Sequence, residues 1–155
     1  MLTYRDILDS ITKKLSENFE EDIYIDSSKQ GFDKSCFFVS IIPVNSLSKN
    51  KKLIQKSLIV EIKYFVEIEG KSHLYDIAED LEEIFRLNIK VKDRTLTIKN
   101  SEIDVLEDEA GKYLSLLLTI DYFDMKNIEE NSYELMGSLE INMKEERGTY
   151  DNRLT

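Results

Sequence analysis

Two stretches of the chain alternate between apolar and polar side chains. In residues 57–68 the polar side carries Glu61, Lys63 and Glu67. The apolar side of that stretch carries Leu58, Val60, Ile62, Tyr64, Val66 and Ile68. Residues 113–123 repeat the pattern, and their apolar side carries Leu114, Leu116, Leu118, Ile120 and Tyr122. A period of two over this length predicts two long strands, each with one buried face.

Two other stretches have the spacing of amphipathic helices. Thr3 and Asp6 resemble a capping box and open a helix that we expect to end near Asn18. Its apolar face would carry Tyr4, Ile7, Leu8, Ile11, Leu15 and Phe19. Ser72 would cap a second helix, whose face carries Leu74, Ile77, Ala78, Leu81, Ile84 and Phe85. Both faces follow the i, i+3, i+4, i+7 spacing of a helix that covers a core.

Shorter strands fill the rest of the predicted sheet. They span residues 23–26, 36–43, 88–92, 95–99 and 102–107. Pro43 would end the second of these, and Asp93 with Arg94 would form a turn between the third and fourth. A turn at residues 108–111 would join the last one to the second long strand as a hairpin. The fold class is therefore predicted as α+β, a mixed, mostly antiparallel sheet with two amphipathic helices packed on one face.

The chain divides into one domain and two C-terminal segments. Residues 1–124 form the predicted α+β core domain. Residues 125–143 form an extension with a short helix or strand, and both alternatives stay open. Residues 144–155 form a polar tail, either disordered or ordered by a partner.

The charge of the chain restricts its partners. The 155 residues carry a formal net charge of -10. An acidic surface repels polyphosphate, so specific nucleic-acid binding is not expected. No apolar run approaches the length of a membrane span, and a single cysteine, Cys36, fits a reducing cytoplasm.

The residues that could support catalysis are few. His73 lies at the start of the second predicted helix, and Cys36 opens an apolar strand. A Cys36–His73 nucleophile pair stays open as an alternative, although no third, orienting group is indicated. The sequence has no phosphate-binding loop, no Cys/His metal spacing and no nucleophile elbow. We therefore predict no catalytic residue, no cofactor and no metal.

Two surfaces are candidates for contact with other molecules. The polar side of the long strands also carries apolar residues, which form a candidate subunit interface: Ile59, Phe65, Tyr113, Leu117 and Phe123. Phe37, Val39 and Ile41 would join this side if their strand is shared. Cross-strand pairing within a shielded face is the alternative. Lys49, Lys51 and Lys52 form a basic hairpin tip, either a partner-contact loop or a solvated turn.

Several segments together resemble a phage protein family. They are the opening residues 1–7, Gln30-Gly31-Phe32 leading to Cys36-Phe37-Phe38-Val39, Ile42-Pro43-Val44, Asp93-Arg94 with the strand after it, and Tyr133-Glu134-Leu135-Met136. The chain resembles, over roughly residues 1–140, the tail terminator-like proteins of prophages and phage-like elements in Gram-positive bacteria. The shared segments are structural, and the family has no catalytic residues to carry over.

The resemblance implies a role in particle assembly. Tail terminators form a ring, usually a hexamer, which caps the head-proximal end of the tail tube and stops its polymerisation. The implied partners are further copies of the chain, the tube protein, and a sheath or head-completion protein, with a monomer before assembly left open. The protein would act in the host bacterial cytoplasm and then stay in a phage or a headless tail-like bacteriocin.

Two other functions remain as alternatives to assembly. One is a small acidic binding or inhibitor module without catalytic activity, which would mask a basic surface of another protein. The other is an enzyme that uses Cys36 or His73. Sedimentation would separate a ring of subunits from a monomeric or dimeric binding module.

Overall fold

The computed structural model describes residues 1–25, 34–66, 71–109 and 111–126 as a mixed six-stranded sheet with two helices. In chain order the elements are α1 (Tyr4–Asn18), β1 (Asp22–Ile25), β2 (Cys36–Ser48), β3 (Leu53–Phe65), α2 (Lys71–Ile84), β4 (Asn88–Val91), β5 (Arg94–Asp108) and β6 (Gly111–Met125). The strand order is β1-β2-β3-β6-β5-β4. Only β1 and β2 pair in parallel, and the other neighbours are antiparallel. The predicted α+β class, with a mostly antiparallel sheet, is confirmed.

The two long predicted strands, β3 and β6, lie side by side in the middle of the sheet. Ile62 is paired with Leu116 and Val60 with Leu118, so the apolar sides of both strands share one face. We call this the first face. Its fully buried residues on these strands are Leu58, Val60, Ile62, Tyr64, Leu114, Leu116, Leu118 and Ile120. Burial of this face supplies much of the hydrophobic stabilisation of the fold. β3 ends at Phe65, and the last two residues of the predicted stretch, 67 and 68, lie outside the described residues.

The capping box at the start of α1 is confirmed. The Asp6 amide donates to Thr3 Oγ1 at 3.1 Å, and the Thr3 amide donates to Asp6 Oδ2 at 2.9 Å. The hydrogen bond from the Thr3 backbone, followed by the contact of Lys92 at 3.1 Å, lowers the pKa of the Asp6 carboxyl. The helix ends at Asn18 as predicted and packs mainly against β2 and β4. Its buried residues, Ile7, Ile11 and Leu15, belong to the predicted face.

The second helix begins earlier than the sequence predicts. Because α2 starts at Lys71, Ser72 lies within its first turn and does not precede the helix as a cap. The predicted apolar face is otherwise confirmed, since Leu74, Ile77, Leu81 and Phe85 are buried. The helix contacts β5 and β6.

The prediction that Pro43 ends a strand is wrong, because β2 continues through it to Ser48. The pairing with β3 shifts register between Pro43 and Asn45, which marks a bulge. β1 covers only Cys36–Val39, so Pro43 lies on a part of β2 with no described neighbour on its outer side. Proline, which cannot donate to a ladder, is tolerated at edges and bulges.

The predicted strands at residues 95–99 and 102–107 are one strand. β5 runs without a break from Arg94 to Asp108, and its register shifts between Ile98 and Asn100. The turn before it consists of Lys92, whose φ is 54°, and Asp93. Arg94 already pairs with Val91, so it belongs to the strand and not to the turn.

A tight hairpin joins β5 to β6, as predicted. Asp108 pairs with Gly111, whose φ of 117° is a conformation that side chains with a Cβ rarely adopt. β6 then runs to Met125, one residue beyond the predicted core domain. The predicted element in residues 125–143 and the tail at 144–155 lie, from residue 127 onward, outside the described residues. Neither described helix is long and apolar enough to cross a membrane.

Candidate functional site

The face of the sheet opposite the core, which we call the second face, carries a row of four aromatic rings. Each ring comes from a different strand: Tyr24 from β1, Phe38 from β2, Phe65 from β3 and Tyr113 from β6. Successive ring centroids are 5.4, 5.3 and 5.0 Å apart. Aromatic pairs at such distances stabilise a fold beyond the area that they bury. Phe65 and Tyr113, two of the predicted interface residues, therefore contact each other within one chain.

The other predicted interface residues lie elsewhere on the second face. Ile59 and Leu117 are half-buried in the middle of the sheet, where Leu117 is flanked by Glu61 and Glu102 on the neighbouring strands. Phe123 lies near the end of β6 with 51% of its surface exposed. Of the five predicted residues, Phe123 is the most open to another molecule.

Sequence reasoning missed several exposed apolar residues on the second face. Beside the predicted Phe123, those with large exposed side chains are Ile42, Leu47, Leu106 and Met125. Phe37, Val39 and Ile41, which sequence reasoning considered for this face, instead share the first face with Tyr64, Ile62 and Val60. Exposed apolar groups shared by several neighbouring strands are typical of a contact surface.

A band of charged side chains crosses the second face between its apolar ends. Lys63 pairs with Glu61 at 3.3 Å, and Lys99 pairs with Asp121 at 3.0 Å. Ser57 donates a hydrogen bond to Asp121. The bonds from Ser57 and Lys99 lower the pKa of the Asp121 carboxyl, so it is ionised at neutral pH. Part of the charge on this band is thus paired with other side chains of the same chain.

The basic loop is the tip of the β2–β3 hairpin. Asn50 Oδ1 accepts hydrogen bonds from the amides of Lys52 and Leu53 at 2.9 and 2.8 Å, which fixes the turn. Lys49, Lys51 and Lys52 are exposed. Their ammonium groups therefore extend from an ordered backbone into solvent.

Cys36 lies in a poor position for nucleophilic chemistry. Its side chain is buried, and desolvation together with the nearby charge of Asp22 raises the pKa of the thiol to about 11. A thiol with such a pKa is protonated at neutral pH, whereas the thiolate is the nucleophile. Cys36 pairs with Phe65 on the second face, whereas His73 contacts Tyr64 on the first face.

His73 is a neighbour of a buried tyrosine. Tyr64 Oη lies 3.0 Å from His73 Nε2 and 3.4 Å from Glu21 Oε1. Burial raises the pKa of Tyr64, so its hydroxyl stays protonated and can donate a hydrogen bond. This arrangement satisfies the polar end of a core side chain.

Replacing Cys36 by serine or His73 by glutamine should leave the function of the protein unchanged. Serine keeps the size of the thiol, and glutamine keeps a polar end for Tyr64. We expect each variant to lose at most about 1–2 kcal/mol of stability, the usual range for a modest change of a buried contact. Complementation of a deletion strain together with urea unfolding of the purified protein would test this. Lost function with intact stability would point to chemistry at these side chains.

Asp124 is a buried acidic residue that sequence reasoning did not identify. It is 5% exposed and accepts from the Leu2 amide at 2.9 Å and from Arg94 Nη1 at 3.2 Å. Arg94 also donates to the carbonyl of Phe123 and lies 5.8 Å from the Tyr122 ring. The carboxylate thus ties the start of the chain, β5 and β6 together. These contacts give the carboxylate a structural role.

Replacing Asp124 by alanine should lower the free energy of unfolding by about 1–3 kcal/mol. The change leaves the buried amide of Leu2 without its acceptor and Arg94 without its counterion. Asp121→Ala is the matched control, since Asp121 lies on the same strand and pairs with an exposed lysine. We expect that control to lose less than about 1 kcal/mol. Equal losses in urea titrations would contradict a special role for Asp124.

Comparison with known proteins shows which family the chain matches. A family model described as "Phage tail terminator protein" matches residues 6–132. A search of curated proteins finds no match. One solved structure that matches is 10% identical, covers 84% of this chain and 100% of that chain, and has a TM-score of 0.49.

Proposed function

Because the chain belongs to the phage tail terminator family and is therefore a structural component of a phage tail, we propose that it caps the tail tube. In this proposal, copies of the chain form a ring, a hexamer, at the head-proximal end of the tube. The ring stops further addition of tube protein. As a tail component the protein is part of the virion, and we place its assembly in the host bacterial cytoplasm.

The main support for the proposed ring is the set of exposed apolar residues on the second face. A cyclic ring needs two different surfaces on each subunit that fit each other head to tail. Phe123 and Met125 at the end of β6 are 51% and 61% exposed, and they give one such surface a hydrophobic centre. Interfaces combine an apolar centre with a polar rim, and the charged band beside these residues fits that rim.

Both helices, in this proposal, cover the first face and leave the second face for subunit contacts. The support is one continuous core cluster that contains residues of both helices together with the first-face residues of β3 and β6. In this cluster Ile11 of α1 and Leu81 of α2 join Ile62 and Leu116 of the sheet. A helix layer on one face is the arrangement that the alternation of β3 requires.

The lysines of the hairpin tip are proposed to contact the tube protein. Lys49, Lys51 and Lys52 concentrate positive charge at one end of an otherwise acidic chain. Charge of one sign at an ordered tip steers the approach of an acidic surface and fixes its orientation. A sheath or head-completion protein would then meet the opposite side of the ring.

In this proposal the protein acts through its shape and position in the particle and catalyses no reaction. The raised pKa of Cys36 and the separation of Cys36 from His73 by the sheet support this. The net charge of -10 would also keep DNA from adhering as it passes the ring.

Deletion of the gene from the parent phage tests the proposed function. We expect electron microscopy of lysates to show tubes of uncontrolled length without caps, and a plasmid copy to restore tails of uniform length. An acidic binding or inhibitor module would instead leave tail length unchanged. Uniform, capped tails in the deletion strain would therefore reject the terminator role in favour of that alternative.

A further inference from the structure

The strand β2 has a partner on its outer side only at its start. Within the described part of the chain, β1 covers residues 36–39, and no strand pairs with the outer side of residues 40–48, which we call the β2 edge. Two apolar side chains of the second face, Ile42 and Leu47, are 44% and 47% exposed there. Open apolar edges tend to pair with another strand, and native proteins normally cover them.

The strand β5, toward the other side of the sheet, has an open edge of similar length. β4 pairs with residues 94–97 only, and no described strand pairs with the outer side of residues 100–107, which we call the β5 edge. Val105 and Leu106 are 39% and 43% exposed there. The described part of each subunit thus has two different open edges, and a head-to-tail contact between identical copies requires two different surfaces.

The two edges fit each other in direction and in side-chain pairing. β2 and β5 run in opposite directions within a subunit, because three antiparallel pairings join them. Rotation about a ring axis keeps this opposition when the strands rise along the axis, so the two edges of neighbouring copies meet as an antiparallel pair. One register places Ile42 opposite Leu106, and both side chains belong to the second face. With the bulge after Pro43 counted, the same register places Leu47 opposite Glu102.

Charge favours pairing between the two edges over pairing of one β5 edge with another. The β5 edge contains Glu102, Asp104 and Glu107 and no basic residue. Two such edges side by side would bring like charges together, which is destabilising. The β2 edge is uncharged, and Lys49 follows it directly. In the register above, Lys49 lies diagonally opposite Glu102 of the neighbouring copy, within reach of a long side chain. The other two lysines of the hairpin tip stay at the turn for the proposed tube contact.

This register implies a strand tilt that is compatible with a closed ring. Within one subunit Ile42 is level with Asn100, because successive pairs join β2, β3, β6 and β5. Pairing with Leu106 instead shifts the next copy along the strands from residue 100 to residue 106, which is about 20 Å. Four strand spacings, about 19 Å, separate successive copies around the ring. The two lengths give a tilt of about 45°, and sheets that close into barrels have strand tilts of about 35–45°.

We propose that the β2 edge of one copy pairs in antiparallel fashion with the β5 edge of the next, so that the sheets of neighbouring copies are continuous around the ring. The inference rests on the proposed ring and names the backbone contact that joins its subunits. This contact uses the edges of strands, whereas the proposed contact at Phe123 and Met125 uses exposed side chains of β6. Different variants therefore test the two contacts.

Disulfide cross-linking in assembled tails tests the edge pairing. The chain carries Ile42→Cys and Leu106→Cys in a Cys36→Ser background, so that only the introduced thiols can react. Opposite positions of an antiparallel pair have Cα atoms about 4.5–5.5 Å apart, a distance that a disulfide can bridge. After mild oxidation of tails from a complemented deletion strain, we expect a ladder of covalent oligomers on a non-reducing gel. Ile42→Cys with Val105→Cys, whose side chain lies on the first face, is the matched control and should stay monomeric.

The possible outcomes separate the edge pairing from the terminator role. Uniform, capped tails that contain the double variant and yield only monomers after oxidation would overturn the edge pairing and leave the terminator role intact. Dimers from Ile42→Cys alone would also overturn it, since they would show that two β2 edges pair with each other. Uniform tails in the deletion strain itself would reject the ring on which the pairing rests. Leu47→Cys with Glu102→Cys should give the same ladder, so the test does not depend on the folding of one variant.

Discussion

Ile62→Ala will lower the free energy of unfolding by about 2–5 kcal/mol, the range for removing a large aliphatic side chain from a packed core. Ile62 has no exposed surface and lies between Val39 and Leu116 on the neighbouring strands. The smaller side chain leaves a cavity that strands held on both sides cannot close. Urea unfolding followed by circular dichroism measures the loss directly.

Ile59→Ala is the matched control for this loss. Ile59 lies on the same strand, three residues earlier, but its side chain is half-buried on the second face. We expect a loss of about 1 kcal/mol, because less apolar area is removed from contact and water can fill the space. Similar losses for the two variants would show that the two faces of β3 are not distinguished by burial.

The face assignment of β3 and β6 could be predicted because alternation along a strand reports burial directly. The same approach failed for β2, where apolar residues occupy both sides. There only the register, which pairs Phe37 with Tyr64 and Val39 with Ile62, shows which residues face the core. Local pattern cannot supply that pairing, since it is a contact between distant parts of the chain.

Bulges explain the two errors in strand boundaries. At Val44, directly after Pro43, and again at Lys99, an extra residue shifts the phase of alternation. The pattern of one strand therefore resembles that of two segments or of a strand that stops. The sequence around a bulge carries the pattern of two short strands. Only the partner strand, which pairs on both sides of the irregularity, shows that the backbone continues.

The candidate site was predictable only in part. The aromatic row joins residues from four strands, and no spacing along the chain indicates that Tyr24 and Tyr113 belong to one row. Asp124 could have been found, because it continues the alternation of Ile120 and Tyr122 and so puts a carboxylate in phase with the core. A charged residue in that phase needs a partner, which here is Arg94.

The contacts of Phe65 decide where an interface variant should be placed. Phe65 stacks on Tyr113 and meets Phe38 edge-on within the chain, so a charge there would weaken the subunit itself. Phe123, by contrast, is half exposed and pairs with Gln55. A charge at this position should therefore affect contacts between subunits and leave the fold intact.

Phe123→Glu should abolish assembly of the proposed ring without unfolding the subunit. The variant would bury an unpaired carboxylate in each contact, which costs several kcal/mol per interface. Because a closed ring repeats the penalty at every contact, assembly should fail while the free energy of unfolding changes by less than about 1 kcal/mol. Lysates should then contain tubes of uncontrolled length and a folded, unassembled protein.

Tyr75→Glu on α2 is the control for Phe123→Glu, since Tyr75 is 57% exposed and lies on a helix that, in the proposed arrangement, covers the first face. It introduces the same charge in place of another exposed aromatic residue, so any effect of net charge alone would appear in both variants. We expect tails of uniform length with Tyr75→Glu and uncontrolled tubes with Phe123→Glu. Uniform tails that contain the Phe123→Glu protein would exclude the end of β6 from the ring contact. If both variants failed to give tails of uniform length, the added charge itself would be the cause. The result would then no longer support the second face as the subunit interface.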